Sequence, residues 1–151
     1  YEEQIDNEKY EYKPRDFAAA RRNGIEDLLT RLNAARASHP ALRQLRDIYF
    51  HPTSDDQIIA YSKRVDAFHN PEGKDDVVLT VVNLDPHGAR AGEVYLNLEA
   101  LGLPGWVDAS RPVVRVTDEL TGDSYEWSGQ NYVRLDPFAG QVAHVFSVEP
   151  L

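Results

Sequence analysis

The chain has 151 residues, of which 42% are hydrophobic, so it is long and apolar enough to bury a core. Its net charge of -9 disfavours nucleic acid as a partner, because nucleic-acid binding normally requires a basic surface. The absence of cysteine excludes disulfides and thiolate metal sites, and no apolar stretch approaches the roughly 20 residues that cross a bilayer. We therefore predict neither nucleic acid nor a membrane as a partner.

The amino-terminal segment, Tyr1 to Pro14, is acidic and shows no apolar periodicity, so we predict a loop. The sequence starts with tyrosine and contains no methionine, and we expect it to be part of a longer polypeptide. A short helix is predicted to follow from Arg15 to Arg22. It should end at Asn23-Gly24, because glycine readily adopts the conformation that terminates a helix.

A second helix is predicted from Ile25 to Ser38. Asn23 and Glu26 have the spacing of a capping box, with Asn23 as the N-cap residue. The helix should end before Pro40, because proline disfavours helical dihedrals in the residue before it. Its apolar residues follow the spacing of an amphipathic helix and need a partner surface: Ile25, Leu28, Leu29 and Leu32.

After Leu45 the apolar pattern changes to that of short strands separated by turn residues. The apolar run from Val77 to Val82 has no polar face and is typical of a central strand. Strands alternating at this spacing predict a mainly β fold, an antiparallel β-sandwich with Greek-key connections. The eight predicted strands are Asp47–His51, Gln57–Val65, Asp76–Leu84, Glu93–Leu98, Val113–Glu119, Ser124–Trp127, Tyr132–Asp136 and Val142–Val148.

Residues that could perform chemistry are scattered along the sequence. Four histidines lack metal-ligand spacing: His51, His69, His87 and His144. Nucleophile-elbow, P-loop and dinucleotide-binding motifs are missing, so we predict no metal and no cofactor. Asp118 and Glu119 form an adjacent carboxylate pair, but neighbouring strand residues point to opposite faces and cannot share a substrate. The sequence therefore contains no complete catalytic centre.

Three aromatic residues alternate on one predicted hairpin: Tyr125, Trp127 and Tyr132. They could form a platform that stacks on sugars, or they could pack within the sheet core. Trp106 lies in a predicted loop and could simply anchor that loop. Two further hypotheses from these residues are a carbohydrate-binding module and an immunoglobulin-like interaction domain.

Two sets of short segments along the chain are distinctive. The first is Thr30-Arg31-Leu32-Asn33, Arg36, His39-Pro40-Ala41 and Leu45-Arg46. It resembles the last barrel helix of α-amylase-superfamily enzymes and its exit into their carboxyl-terminal sandwich. The second is Asn7-Glu8-Lys9-Tyr10-Glu11, Pro14-Arg15-Asp16-Phe17, Ile48-Tyr49-Phe50-His51, Asp118-Glu119-Leu120-Thr121-Gly122 and the tail from Tyr132 through Asp136-Pro137 to Ala143-His144. It resembles the actinobacterial α-1,4-glucan:maltose-1-phosphate maltosyltransferases.

This resemblance implies a retaining glycosyltransferase that moves maltosyl units from α-maltose 1-phosphate to the non-reducing end of α-1,4-glucan and releases phosphate. The family's catalytic carboxylates lie in its barrel, upstream of Tyr1, so no catalytic residue is expected here. Residues 1–45 would be the end of the (β/α)8 barrel, a rim loop and two helices. Residues 46–151 would be the carboxyl-terminal β-sandwich.

The resemblance also assigns substrate contacts and partners. Lys9 and Tyr10 would lie on the barrel rim and bind the donor maltosyl group, because they offer an ammonium, a hydroxyl and a flat apolar ring. The partners would be the remainder of the same polypeptide, maltose 1-phosphate and α-1,4-glucan. The complete enzyme would be a cytoplasmic homodimer.

Overall fold

The computed structural model of the protein describes residue 14 and residues 16–151. Its helices are α1 (Phe17–Asn23), α2 (Glu26–Ser38) and the short α3 (Pro40–Arg43). Both predicted helices are present, but the predicted capping box is wrong. Asn23 is the last residue of α1, and the N-cap position of α2 is Ile25, which offers no side-chain cap. The reason is that α1 continues through Asn23, which leaves only two residues for the turn between the helices.

Eight strands follow the helices, as predicted. Their bounds are β1 (Ile48–His51), β2 (Ile58–Val65), β3 (Asp76–Asn83), β4 (Arg90–Tyr95), β5 (Val114–Asp118), β6 (Ser124–Trp127), β7 (Gln130–Leu135) and β8 (Ala143–Pro150). Only β4 differs much from the prediction, Glu93–Leu98. Beyond Tyr95 the apolar alternation continues in a loop, where Leu96 and Leu98 are buried in the core without strand pairing.

The strands form two antiparallel sheets. Six strands are ordered β1-β2-β3-β8-β5-β6, and the second sheet pairs β4 with β7. The chain crosses between the sheets from β3 to β4, back to β5, again from β6 to β7 and back to β8. The chain therefore changes layer four times, and the predicted antiparallel β-sandwich is confirmed.

The main core lies between the two sheets. Its most deeply buried members come from both layers: Leu79, Val81, Val114, Val116 and Phe146 from the larger sheet, and Val94, Val133 and Leu135 from the smaller one. Trp127 packs edge-on against Phe146 with ring centroids 5.0 Å apart. Burying each large apolar side chain is worth roughly 1.5–3 kcal/mol, so this layer supplies most of the driving force for folding.

A second core lies on the outer face of the six-stranded sheet, under the helices. Its buried members are Ala35, Ala41, Val65, Val78, Leu120 and Val145, with Leu28 packed against them. The other apolar residues on this face of α2 are largely exposed. Ile25, at the N-cap of α2, is 48% exposed, Leu29 47% and Leu32 36%. Helix α2 therefore buries part of its apolar face on the sheet and leaves the rest of that face exposed.

An ionic cluster joins the helices to the sheet. His39, between α2 and α3, contacts Asp76 through Nδ1 at 2.6 Å and Glu119 through Nε2 at 3.2 Å. The Ala41 N–H donates to the same Asp76 carboxylate at 2.7 Å. The hydrogen bond to Asp76 raises the pKa of His39 above 6.5, although burial acts against it. Burial of Asp76 opposes its ionisation, but the hydrogen bonds from His39 and Ala41 outweigh this and lower its pKa.

We expect this cluster to make stability depend on pH. Because folding raises the pKa of His39, its protonation stabilises the folded state. This stabilisation is complete below pH 6.5 and is lost as the pH rises through the folded-state pKa. Lowering the pKa of Asp76 stabilises the folded state above pH 3.8, and this is lost as pH falls. The unfolding free energies of wild type and His39→Ala, measured in urea, should therefore differ most between pH 3.8 and 6.5, by roughly 1.5–3 kcal/mol. The difference should become smallest once the pH exceeds the folded-state pKa of His39.

His69 provides the matched control for that experiment. It also pairs with an aspartate, Asp66, at 2.8 Å, but its side chain is 70% exposed. Exposed ion pairs contribute little, so His69→Ala should leave the pH profile almost unchanged. A pH-independent loss of stability in His39→Ala would show that packing, and not charge, is what His39 contributes.

Candidate functional site

The two predicted substrate-binding residues, Lys9 and Tyr10, lie outside the residues that the structure describes. Their role as donor contacts therefore stays a prediction. Within residue 14 and residues 16–151, no group of three or more histidine, aspartate or glutamate side chains has the geometry of a metal site. No helix in this part of the chain is long and apolar enough to cross a membrane.

The adjacent carboxylates Asp118 and Glu119 have separate structural roles. Asp118 is fully buried and contacts His144 Nδ1 at 2.7 Å, while its other oxygen accepts from the Leu120 N–H at 3.0 Å. Glu119 turns to the opposite face and contacts His39. The two carboxylates therefore have different partners and do not form a catalytic pair.

The segment from Asp118 to Gly122 carries part of the family resemblance, and the structure explains its residues by turn geometry. Gly122 has a φ of 84°, a left-handed value that favours glycine, and its N–H donates to the Asp118 carbonyl at 2.7 Å. The Thr121 N–H donates to the same carbonyl at 3.3 Å. This distinctive motif therefore closes the turn between β5 and β6.

His51, at the end of β1, is buried between two hydrogen-bond partners. Its Nδ1 accepts from the Asn97 N–H at 3.1 Å, and its Nε2 lies 2.9 Å from the Ser62 hydroxyl. Accepting at Nδ1 requires the neutral ring, with the proton on Nε2. Burial lowers the pKa of His51 from 6.5 to about 4. His51 therefore links the edge strand to the loop after β4 and does not act as a proton carrier near neutral pH.

Acid should destabilise the fold through His51. The unfolded chain takes up a proton on this residue near its ordinary pKa of 6.5, but the folded chain resists until about 4. When the pH falls from 7.5 to 4.5, the unfolding free energy of the wild type should therefore decrease by up to roughly 3 kcal/mol more than that of His51→Gln. Glutamine retains hydrogen-bonding groups at this position but does not titrate. Unfolding free energies from urea titrations at the two pH values test this. Equal losses in both proteins would contradict it.

The aromatic platform considered as an alternative from the sequence does not form. Trp127 is only 7% exposed and belongs to the inter-sheet core, while Tyr125 lies in the same sheet and packs against Phe146. Tyr132 is 63% exposed but belongs to the other sheet. Because β6 and β7 lie in different layers, the three rings share no face. The packing alternative considered from the sequence is correct for Trp127.

An open groove of about 680 Å³ lies between the segment after α3 and the loops that follow β2 and β4. Tyr49, Asp66, His69 and Glu99 are among its lining residues. Asp47 lies at its edge with a φ of 58°, and it is the only non-glycine residue with positive φ in the described part of the chain. The lining mixes both signs of charge, and Asp66 is already paired with His69. This groove has no arrangement typical of catalysis.

Comparison with known proteins identifies the family. The model described as "GLGE, C-terminal" matches residues 50–148, more than half of the chain. The chain belongs to this family. The match covers β2 to β7 completely, so the residues that build the sandwich are also those that define the family.

Named relatives extend the similarity to the rest of the chain. The chain is 48% identical over 151 residues to the α-1,4-glucan:maltose-1-phosphate maltosyltransferase of Arcanobacterium haemolyticum, covering 99% of this chain and 21% of that protein. It is 49% identical over 149 residues to maltosyltransferase 2 of Streptomyces coelicolor, covering 97% and 20%. The chain thus spans about one fifth of the length of these relatives, and the resemblance found in the sequence is confirmed.

Among solved structures, the crystal structure of an Anoxybacillus α-amylase is similar at a TM-score of 0.49 and 16% identity. The similarity covers 83% of this chain and 22% of the amylase chain.

Sequence reasoning singled out Tyr132 but missed the residues that lie beside it on the outer face of the smaller sheet, Glu93, Tyr95 and Gln130. Tyr95 and Tyr132 both lie there, on strands that are far apart in sequence. Tyr95 fell within a predicted strand and Tyr132 within another, but nothing local indicated that these two strands pair. The available signal was the alternation of exposed and buried residues in each strand.

Proposed function

We propose that this chain is the carboxyl-terminal part of a maltosyltransferase. The complete enzyme would transfer maltosyl units from α-maltose 1-phosphate to the non-reducing end of α-1,4-glucan with release of phosphate. One observation supports this most strongly: identity of 48% extends over 99% of the chain to a protein named α-1,4-glucan:maltose-1-phosphate maltosyltransferase. The family membership of the sandwich supports it independently.

The proposal assigns the bond-making chemistry to residues outside this chain. Retaining glycosyl transfer requires two carboxyl groups about 5 Å apart, one acting as nucleophile and the other as acid/base. The adjacent carboxylates Asp118 and Glu119 do not form such a pair, because Asp118 is fully buried and Glu119 is engaged by His39. A chain that supplies structure and a rim loop, but no catalytic carboxylates, fits this arrangement.

We propose that residues 1–45 complete the catalytic barrel and that residues 46–151 form a structural β-sandwich that supports it. The incompletely buried apolar face of α2 supports this division. Part of it packs on the sheet through Leu28 and Ala35, while Ile25, Leu29 and Leu32 beside them are exposed. An apolar stripe on a helix normally faces a packed partner. In the complete polypeptide, the remaining four fifths would provide that partner.

Two adjacent leucines of α2, the packed Leu28 and the exposed Leu29, test whether the exposed part of this face has a partner. Leu29→Ser should barely change the unfolding free energy of the 151-residue chain, since Leu29 is 47% exposed there. In the complete enzyme the same change should lower stability by roughly 2 kcal/mol or more, because the leucine would be buried against the barrel. Urea unfolding of both proteins, with and without the substitution, measures the difference.

Leu28→Ser is the matched control, because Leu28 packs on the second core beneath α2. It should destabilise the 151-residue chain and the complete enzyme alike. If Leu29→Ser has equally small effects in both proteins, the exposed stripe has no partner and the proposed division of the chain is overturned.

Lys9 tests the proposed substrate contact. If its ammonium donates to a hydroxyl of the donor maltosyl unit, Lys9→Ala removes a charge-assisted bond worth roughly 1.5–3 kcal/mol. In the complete enzyme, kcat/KM for maltose 1-phosphate should fall by roughly ten- to a hundredfold. Tyr10→Phe should cost less if stacking dominates and as much if the hydroxyl makes the contact. Steady-state phosphate release over a range of donor concentrations measures these effects.

The 151-residue chain alone is the control for this assay and should release no phosphate above a buffer blank. A complete enzyme that released none with donor and glucan together would overturn the proposed activity. Unchanged kinetics in Lys9→Ala, at unchanged melting temperature, would overturn only the role of Lys9.

The family resemblance adds two further expectations to this proposal. The complete enzyme would be a homodimer, and it would act in the cytoplasm. Sedimentation of the complete enzyme would measure the first. Neither expectation is needed for the assignment of activity.

A further inference from the structure

The outer face of the β4–β7 sheet combines exposed aromatic and polar side chains. Its inward residues, Val94, Val133 and Leu135, are buried in the core. Because side chains alternate along a strand, the residues between them point outward. Tyr132 is 63% exposed and Tyr95 39% exposed. This face therefore presents two tyrosine rings to solvent.

Strand register places polar groups directly beside these rings. Tyr132 is paired with Glu93, and Tyr95 is paired with Gln130. The two tyrosines are diagonal neighbours across the strands, with a spacing of about 7–8 Å. Among the described residues, none donates a side-chain hydrogen bond to the Glu93 carboxylate or bonds the Gln130 carboxamide. Two rings and two unengaged polar groups thus share one patch, and Arg134, further along β7 on the same face, is paired with Asp136 at 3.2 Å.

A shallow groove lies at the Tyr95–Gln130 end of this patch, and Tyr132 flanks it on the same face without lining it. The groove has a volume of about 600 Å³, and Glu93, Tyr95, Ser110 and Gln130 are among its lining residues. Its two walls are tied together, since the Gly129 N–H donates to the Ala109 carbonyl at 2.8 Å. A Cβ at Gly129 would lie only 2.9 Å from the Ala109 Cβ, so the walls are in close contact. The groove is therefore fixed by backbone contacts and does not depend on a ligand.

The chemistry of the lining favours a neutral polyol. The groove contains one carboxylate and no lysine or arginine, in a chain with a net charge of -9, so an anionic polymer would be repelled. Tyrosine rings offer flat apolar faces for the C–H faces of sugars. Glu93 accepts and Gln130 both donates and accepts, which matches sugar hydroxyls. Tyr95 lines this groove and Tyr132 lies beside it on β7, opposite Glu93, whereas the exposed Phe138 lies in the turn after β7 and not on this pair of strands.

We propose that this face, formed by Glu93, Tyr95, Gln130 and Tyr132, is a secondary binding site for α-1,4-glucan chains. The choice of glucan rests on the proposed function, whereas the geometry independently fits a neutral oligosaccharide. The site holds a glucan chain outside the barrel and raises its local concentration at the enzyme. It performs no chemistry, and it acts only on acceptors long enough to reach it.

Titration of maltoheptaose into the labelled 151-residue chain tests the site directly. Amide shifts should concentrate in β4, β7 and the turn at Gly129, with weak, millimolar-range binding. Tyr132→Ala and Tyr95→Ser should each weaken binding at least about threefold while preserving the remaining spectrum, which also reports folding. Phe138→Ala, which removes another strongly exposed ring, should have no effect. Absent shifts, shifts elsewhere, or equal binding of cellohexaose would each overturn the proposal.

The complete enzyme separates this proposal from the proposed function. Tyr132→Ala should raise the apparent KM for glycogen severalfold and leave both the KM for maltose 1-phosphate and the rate with a short acceptor unchanged. Full activity with an unchanged glycogen KM would overturn the secondary site and leave the maltosyltransferase assignment intact. Conversely, an inactive complete enzyme whose carboxyl-terminal chain still binds maltoheptaose through Tyr132 would overturn only the assigned reaction.

Discussion

The structure depends on burying β3 on both of its faces. Val77, Leu79 and Val81 point into the core between the sheets, and Val78 and Thr80 point to the opposite side. A strand without a polar face cannot be stable against water on either side. The β4–β7 sheet covers one face, and α2 with α3 covers part of the other. The three-layer arrangement follows from this one strand.

Two-sided burial also determines how the helices are attached. Their apolar contact with the sheet is small, since the buried contributions from α2 and α3 are Ala35 and Ala41. The cluster of His39, Asp76 and Glu119 adds directional bonds between the helices and two interior strands, since Asp76 begins β3 and Glu119 directly follows β5. Small residues allow close approach, and the ionic cluster fixes the angle. A helix held in this way can present the exposed part of its apolar face to a further domain.

The polar residues packed within the described fold have structural roles and are not arranged for catalysis. Conspicuous polar residues in the described chain, among them Asp118, His144, His51 and His39, are engaged in buried or half-buried hydrogen bonds within the fold. Each is a residue type that enzymes use for proton transfer, but each has structural partners here. The polar groups available to a ligand lie instead on the exposed face of the smaller sheet. A supporting domain with a peripheral sugar contact is consistent with both observations.

The sequence by itself determined the mainly β class, all eight strands, both main helices and the family, because these depend on local periodicity, turn residues and short motifs. It also indicated the apolar stripe of α2. Only the tertiary structure decided which strands share a layer, since antiparallel pairing of β4 with β7 joins segments about forty residues apart. That pairing separated Tyr132 from Trp127 and brought it next to Glu93. Surface sites of this kind are formed by non-local strand register, which no local pattern specifies.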